Sequence, residues 1–426
     1  MDIYNLISFF GIFMLMAFAW ACSADRRMMN WRCIATGAGM QLVLGAVVFR
    51  APGSTAAFLW VNGLAVKVLG AATAGQKFLF GPLAAEPATT TASGEPSVGF
   101  ILAIQALPII VFVAALMGLL YYWGIMQVII RAFARLFTRL MGISGAESLC
   151  AASNIFVGIE SATTIRPYLA RMTRSEFCTI LAAGMATVAS STLGLYVLFL
   201  GKAFPTIAGH LISASIMSAP AAIVMSKILV PEDGQPLTLG QKVELAYERE
   251  SSAIESIING AMAGVKLLVG VCALLIAFLG LIALADLALG QANLSLTMLL
   301  GKVMWPFAVV IGVPPGDATA AGAMLGERLI ATEVPAYMHL AQAIGDGSLA
   351  HPRSPVIIAY ALCGFAHVAS MAIFVGGIAA LVPERRKDVA AVGPRALLAA
   401  TLACFMTGAV AGTWFHAAET VIRTSG

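Results

Sequence analysis

Long apolar runs, each close to the length that crosses a lipid bilayer, dominate the pattern of this chain. About 20 apolar residues in a helix span the roughly 30 Å of membrane hydrocarbon. The runs occupy residues 3–21, 33–49, 99–122, 176–200, 206–229, 258–285, 356–382 and 396–418. The pattern therefore predicts an all-α polytopic membrane protein with about eight transmembrane helices.

Two apolar regions are interrupted by an acidic residue at a glycine or proline. Glu160 closely follows Gly158, and Asp317 follows two prolines and a glycine. A carboxylate at the centre of a spanning helix costs about 2.5–3.5 kcal/mol, and a helix broken at this depth needs protein or water around its free backbone groups. Such breaks in corresponding places of two chain halves are typical of transporter binding sites. We therefore predict two opposed re-entrant helical hairpins whose acidic tips meet at one site.

The sequence after each break looks duplicated. Residues 184–190 and 364–370 share Gly, Ala, Val, Ala and Ser in register, and each is followed by one further apolar run. Chance similarity in Ala/Gly-rich helices is the alternative, but the shared order of features favours an inverted repeat. The predicted domains are N-terminal scaffold helices (1–140), a first transport repeat (141–230), a cytoplasmic linker with a long scaffold helix (231–290) and a second transport repeat (291–426). Residues 71–83 are either an interfacial helix or a plain extracellular loop.

The charges fit this topology. The chain is 60% hydrophobic and 11% charged, whereas soluble domains have about 25% charged residues. If the first hairpin enters and leaves on one side, the basic clusters at 131–139, 166–174 and 385–395 all lie in the cytoplasm, as the positive-inside rule requires. This topology predicts that both termini lie outside the cytoplasm. The net charge of +4 requires no nucleic-acid partner.

Several other kinds of chemistry lack their sequence signals. The seven cysteines are scattered without metal-ligand or CxxC spacing, so neither a zinc site nor a disulfide framework is indicated. The chain has no GxSxG nucleophile motif and no P-loop for ATP. We therefore expect no cofactor and no enzyme, although an intramembrane acid–base enzyme using the two acids and His367 is a competing hypothesis.

The broken helices suggest which groups bind which ligand. A half-helix that ends at Gly158 leaves free carbonyl groups, and these suit a small hard cation together with side-chain oxygens of Asn154 and Thr187. Ionised acids accept hydrogen bonds from a substrate rich in donors. The alternative is that the acids pair structurally with lysine or arginine. His367 and Ser370 lie one helical turn apart and could face the same cavity, although His367 could also be a core histidine.

At these residues the sequence resembles the concentrative nucleoside transporter family, over nearly the whole chain. The stretches that carry the resemblance are Ala-Ala-Ser-Asn-Ile-Phe-Val-Gly at 151–158, Arg-Pro at 166–167, Ile-Gly-Val-Pro at 311–314, Ala-Leu-Cys-Gly-Phe-Ala at 361–366, and the supporting stretches 78–82 and 120–127. The resemblance implies a homotrimer of secondary-active symporters, each with a transport part that moves past a scaffold like an elevator.

The resemblance also implies a site for the coupling ion. The family's sodium ligands fall on the Asn154 side chain, the Val157 carbonyl, the Thr187 hydroxyl and the Val188 carbonyl. The family usually has a serine at position 187. A proton is the alternative coupling ion.

The substrate residues that the resemblance implies lie on both hairpins and on the spans after them. They are Glu160 for the base, Asp317 and Ser370 for the ribose, and Phe365 beside the nucleoside; we add Ser161 and Thr192 as neighbours.

This chain departs from the family pattern at three of these places. His367 stands where the family has an asparagine, and Asp317 where it has a glutamate. Only Ile159 stands between the hairpin glycine and Glu160, where the family has Gln-Thr. Deleting matched hydrogen bonds changes selectivity strongly. We therefore expect a cation-coupled nucleoside importer, or the same mechanism with a modified nucleoside, a nucleobase or another polar solute.

Overall fold

The computed structural model describes residues 2–51, 54–85, 99–241, 243, 246, 250–292 and 294–416, and these contain no β-strand. Their α-helices are α1 (Ile3–Ala21), α2 (Trp31–Arg50), α3 (Ser54–Phe80), α4 (Ile109–Tyr122), α5 (Ile125–Met141), α6 (Gly145–Asn154), α7 (Arg166–Leu169), α8 (Arg174–Ala186), α9 (Ser190–Leu200), α10 (Ile207–Leu229), α11 (Ala253–Leu289), α12 (Leu296–Val310), α13 (Pro315–Ala331), α14 (Glu333–Gly345), α15 (Arg353–Leu362), α16 (Val368–Leu381) and α17 (Arg386–Trp414).

Eight helical segments of the described residues are long and apolar enough to cross a membrane, which confirms the predicted fold class. The set of membrane-spanning segments differs from the predicted set in two places. The helix α3 extends over 27 residues, so the predicted interfacial segment 71–83 is the end of a longer helix and the short turn after it. The run at 356–382 is divided into α15 and α16, because residues 363–367 are not helical.

The helices are unequally buried. In the most apolar stretch of each helix, the buried share of residues is 83% for α10 and 89% for α17, but only 6% for α11. Helix α17 packs against α1, α8, α10 and α15, and its small residues permit close approach: a Cβ on Gly408 would lie 3.1 Å from the carbonyl oxygen of Ile357. The centre of the bundle is therefore α10 and α17, and α11 leaves most of its surface for lipid or another protein surface.

The first hairpin begins at α6 with a capping box, in which Ser144 and Glu147 exchange hydrogen bonds with each other's backbone. Such a box satisfies two N–H groups that a helix start leaves free. The ammonium group of buried Lys227 lies 2.6 Å from the Glu147 carboxylate and donates to the Ser175 hydroxyl at 3.0 Å. Helix α6 ends at Asn154, and the chain returns through a 3₁₀ helix at Ile159–Ile165 and α7. The base of this hairpin is thus fixed by a buried ion pair to α10.

The second hairpin is formed by α13 and α14, with its tip at Thr332. Thr332 has φ 87° and ψ 170°, a backbone conformation that residues other than glycine adopt only at an energetic cost. The sequence pattern predicts the break of this hairpin at residues 314–316. The chain does turn there, between α12 and α13, but that turn is at the opposite end of α13 from the tip.

Two spans are broken, as a transporter repeat requires. Residues 187–189 separate α8 from α9, and residues 363–367 separate α15 from α16. The breaks cross, because a Cβ on Gly364 would lie only 2.6 Å from the carbonyl oxygen of Ala186. Each break lies beside the tip of one hairpin, which the next subsection describes.

Candidate functional site

A buried polar cluster joins the tip of the second hairpin to the break between α15 and α16. Glu333 is the first residue of α14, and its carboxylate Oε2 lies 3.1 Å from Nε2 of His367. The same ring nitrogen lies 2.8 Å from the Ser370 hydroxyl. All three side chains are at most 5% exposed. A carboxylate, an imidazole and a hydroxyl therefore converge where two helix ends meet.

The backbone fixes the tautomer of His367. His367 is the N-cap of α16, and its Nδ1 accepts the N–H of Ser370 at 3.2 Å. An Nδ1 that accepts a hydrogen bond carries no proton, so in the neutral ring the proton is on Nε2. The Nε2–H group therefore faces the Glu333 carboxylate and the Ser370 hydroxyl.

Helix α9 contributes the other wall of this cluster. The Tyr196 hydroxyl donates to Glu333 Oε1 at 2.6 Å, and its ring stacks on Tyr337 with centroids 4.6 Å apart. Thr192 is buried one turn before Tyr196, and its hydroxyl donates to the Ala189 carbonyl at 3.0 Å. Oε1 of Glu333 thus accepts one hydrogen bond, whereas Oε2 faces His367 Nε2 at 3.1 Å without a hydrogen-bond partner among the described residues. Both oxygens therefore keep acceptor capacity for a further donor.

Phe365 lies in the break itself. It is half-buried, and its carbonyl accepts the N–H of His367 at 2.8 Å. An aromatic ring that is only partly covered, next to a buried acid and imidazole, provides a flat apolar surface beside hydrogen-bonding groups. This combination suits a ligand with a planar ring and several hydroxyl donors.

The tip of the first hairpin lies along α16. Glu160 is exposed at the start of the 3₁₀ helix, and within the described residues no hydrogen bond or ion pair joins it to His367 or Ser370. The Ile159 side chain covers Gly377, where a Cβ would lie 2.7 Å from it. Ser161 turns inward and donates to Oδ1 of Asn154 at 2.7 Å. Both hairpin tips therefore contact α16, one at its start and one further along.

The carbonyl end of α6 meets the break between α8 and α9. The Thr187 hydroxyl donates to the Asn154 carbonyl at 2.7 Å, and the N–H of Ser190 donates to the Phe156 carbonyl at 2.9 Å. The Ser215 hydroxyl donates to the Ile155 carbonyl at 3.0 Å and lies 3.4 Å from the Val188 carbonyl. Asn154, Thr187 and Val188 are buried together here, and Val157 follows in the same turn. Neutral oxygens are the ligands that a small hard cation prefers.

The predicted position of Asp317 is wrong. Its carboxylate accepts the N–H groups of Ala350 and His351 at 2.9 and 3.0 Å and the Ser354 hydroxyl at 2.5 Å. These bonds satisfy the N-terminal end of α15. Since a helix rises 1.5 Å per residue, the 14 residues from Asp317 to Ala331 separate it from the hairpin tip by about 21 Å. Asp317 therefore fixes the start of α15, and the carboxylate of the buried polar cluster belongs to Glu333.

Glu333 and Tyr196 do not stand out in the sequence as candidate site residues. Glu333 lies in a segment with Glu327, Arg328 and His339, whose charges make it look like a solvated loop rather than a membrane hairpin. Tyr196 looks like one more core aromatic residue in an apolar run. A usable signal for Glu333 was present, since Thr332-Glu333 separates two helical patterns and Pro335 lies at the third position of the second helix.

Two hairpins whose tips meet two broken spans at buried polar groups define a class: this is the architecture of a secondary transporter. Comparison with known proteins identifies the family. The profiles described as Na+ dependent nucleoside transporter N-terminus, nucleoside recognition, and Na+ dependent nucleoside transporter C-terminus match residues 10–83, 103–203 and 210–412. The chain belongs to the concentrative, Na+-dependent nucleoside transporter family.

Relatives support this assignment along the whole chain. The "Nucleoside permease NupC" of Helicobacter pylori is 35% identical, with 96% of this chain and 97% of that protein aligned. Mouse "Solute carrier family 28 member 3" is 34% identical over 96% of this chain, and the match covers 58% of the mouse protein. Among solved structures, CNTnw in an inward-facing substrate-bound state has 34% identity and a TM-score of 0.87, with 96% of this chain and 98% of that one covered.

Proposed function

We propose that this protein is a sodium-coupled symporter that imports nucleosides across the bacterial inner membrane. The observation that carries the proposal is the buried cluster at the second hairpin tip, where Glu333, His367 and Ser370 meet beside Phe365. Free acceptor capacity on Glu333 suits the hydroxyl groups of a ribose, and the ring of Phe365 suits a planar base.

The first hairpin would complete the substrate site. Glu160 is exposed at its tip and free to accept hydrogen bonds from a base. Ser161 lies on the hairpin and Thr192 on α9, and both would line the substrate site. Ser161 is bonded to Asn154, so a substrate group that engaged Ser161 would act directly on a side chain of the proposed cation site. This link is one route by which cation and substrate could stabilise the same arrangement of the hairpin.

The coupling ion would bind between α6 and the break after α8. Sodium would be held by the Asn154 side chain, the carbonyls of Val157 and Val188, and the Thr187 hydroxyl. All of these are neutral oxygens. The bond from Thr187 to the backbone carbonyl of Asn154 and the 3.4 Å distance from Ser215 to the Val188 carbonyl support the proposal, because they bring three of the four residues close together. No carboxylate is needed at this place.

The larger assembly is inferred from the same family. We propose a homotrimer with both termini in the periplasm, in which the two hairpins and broken spans move as a unit past a scaffold. Helix α11, only 6% buried along its most apolar stretch, has the free surface that a scaffold contact between protomers requires.

The decisive experiment is uptake into proteoliposomes. Radiolabelled uridine and adenosine should accumulate when an inward sodium gradient is imposed, and should not accumulate in potassium alone. Absence of uptake of any nucleoside under sodium or proton gradients would reject the proposal.

A second candidate keeps the mechanism and changes the ligand or the coupling ion. It is favoured by the imidazole of His367 in direct contact with Glu333 and by the short first hairpin. The ligand would be a modified nucleoside, a nucleobase or another polar solute, and a proton could replace sodium. Screening such solutes for thermal stabilisation of the detergent-solubilised protein separates the two, because an ordinary nucleoside giving the largest shift would exclude the altered ligand.

A further inference from the structure

Arg328 is a fully buried positive charge that has no negative partner among the described residues. It lies in the last turn of α13, five residues before Glu333, and has 0% exposure. Within the part of the chain that the structure describes, no carboxylate lies at ion-pair distance from it, and Nε and Nη2 have no hydrogen-bond partner. A buried charge without compensation is strongly unfavourable. Its presence in the transport part of the molecule therefore requires a physical reason.

A hydrogen bond from Arg328 to a backbone carbonyl points to that reason. Its Nη1 donates to the Ala361 carbonyl at 2.7 Å. Ala361 is in the last turn of α15, immediately before the break at 363–367. The end of a helix exposes carbonyl groups with a partial negative charge. The guanidinium of Arg328, which also lies 5.4 Å from the centre of the Phe405 ring, is thus a cation at the carbonyl end of a broken span.

The first repeat also has free helix-end carbonyls beside a broken span, but they belong to the hairpin helix α6 and are met by different groups. There the carbonyls at the end of α6 face the break after α8, and they are met by the hydroxyls of Thr187 and Ser215 and the N–H of Ser190. No Lys or Arg side chain of the described residues donates to these carbonyls. One repeat therefore has a charged group at its broken span, and the other has only neutral groups.

We propose that Arg328 is a fixed internal cation of the second repeat, which compensates the free carbonyls at the end of α15 as the coupling sodium would compensate those between α6 and the break after α8. The proposal deepens the proposed function and rests on it. Arg328 is a positioning residue: by holding the last turn of α13 against α15, it sets Glu333 opposite His367. A single sodium ion then suffices for transport, because the end of α15 already has a fixed cation in Arg328.

The test compares three variants in proteoliposomes. Arg328→Lys retains the positive charge, whereas Arg328→Met replaces it with an apolar side chain of similar length. Glu327→Gln is the matched control, because it alters the neighbouring residue, which pairs with His339 outside the site. Replacing a buried charge by a well-packed apolar group is often neutral for folding. Should Arg328→Met not fold, as judged by gel filtration in detergent, Arg328→Gln takes its place.

Sodium dependence is the measurement that a merely structural residue would not change. Wild type, Arg328→Lys and Glu327→Gln should give a Hill coefficient for sodium of about 1. In Arg328→Met the freed carbonyls can take a second sodium ion, so the coefficient should rise towards about 2, and the KM for nucleoside should increase about tenfold at low sodium.

A Hill coefficient of Arg328→Met that stays at the wild-type value would overturn the proposal, whatever the KM does. Sodium-independent uptake by the wild type would instead reject the sodium coupling proposed above. In that case the KM for nucleoside tests the role of Arg328. Equal KM values for Arg328→Lys and Arg328→Met would show that the charge at this position does not affect substrate binding.

Discussion

The backbone of Gly364 lies directly against the carbonyl oxygen of Ala186, where the two broken spans cross. A Cβ at position 364 would lie 2.6 Å from that oxygen and 2.9 Å from the Cys404 sulfur, and Gly364 has φ 119°. Only glycine fits both the space and the backbone angle. The crossing places the carbonyl-lined break of the first repeat next to the polar cluster of the second. Cation and substrate sites would therefore share a wall, which gives their proposed coupling a structural basis.

Gly364→Ala should impair transport more than it impairs folding. The added methyl group meets backbone rather than a flexible side chain, so the spans must move apart, and such overpacking costs about 1–3 kcal/mol. We expect nucleoside uptake to fall about 5- to 150-fold, as that energy implies. The control is Gly376→Ala, where a Cβ would contact nothing within 4 Å. Equal uptake by the two variants would show that transport does not depend on close contact between the two broken spans.

Glu333→Gln should weaken substrate binding strongly. Hydrogen bonds to a charged group contribute about 1.5–3 kcal/mol, so the Kd for nucleoside should rise about 10- to 100-fold. Tyr196→Phe removes one donor to the same carboxylate and keeps the stacked ring, and should cost about 1 kcal/mol. Isothermal titration in detergent measures both. A wild-type Kd for Glu333→Gln would exclude this cluster as the substrate site.

Thr187→Val should raise the sodium concentration needed for half-maximal uptake. Valine keeps the shape of threonine and removes the hydroxyl that lies 2.7 Å from the Asn154 carbonyl. Loss of that oxygen, with a buried carbonyl left unsatisfied, costs about 1–3 kcal/mol, or about a 5- to 100-fold change in sodium affinity. Thr187→Ser keeps the hydroxyl and serves as the control. The sodium site is elsewhere if Val and Ser behave alike.

Asp317→Ala should reduce stability without changing the intrinsic affinity for substrate. Its carboxylate satisfies two backbone N–H groups and one hydroxyl at the start of α15, and removing a cap of this kind costs about 0.5–2 kcal/mol. Asp317→Asn should lose less, because the amide oxygen still accepts. Thermal unfolding in detergent measures the stability and titration with nucleoside the affinity. A raised Kd with unchanged stability would return Asp317 to the binding site.

Much of the candidate cation site could be predicted from the sequence. The Gly158 break, Asn154 and the duplicated segment at 184–190 are all local signals, because helix ends and breaks are specified by residues close in the chain. In the structure Thr187 contacts Asn154, and Val188 follows Thr187 in the chain; their role as cation ligands stays a prediction. The spacing of His367 and Ser370 predicts that they could face the same cavity, and in the structure their side chains contact each other.

The acid of the second hairpin could not be found in this way. Asp317 and Glu333 each stand at a helix start, and local pattern gives no means to decide which of two helix ends reaches the centre of the membrane. That depends on how α13 packs between α12 and α14, and thus on contacts between distant segments.

By itself, the sequence determined the class of this protein, since apolar runs of membrane length and their glycine and proline breaks act through local backbone chemistry. Tertiary structure alone decided which ends meet. It placed Glu333 rather than Asp317 opposite His367, drew Tyr196 into the cluster and left Arg328 at the end of α15. The physical reason is that a hydrogen bond or a buried charge depends on distances of a few ångströms between helices, which no single segment encodes.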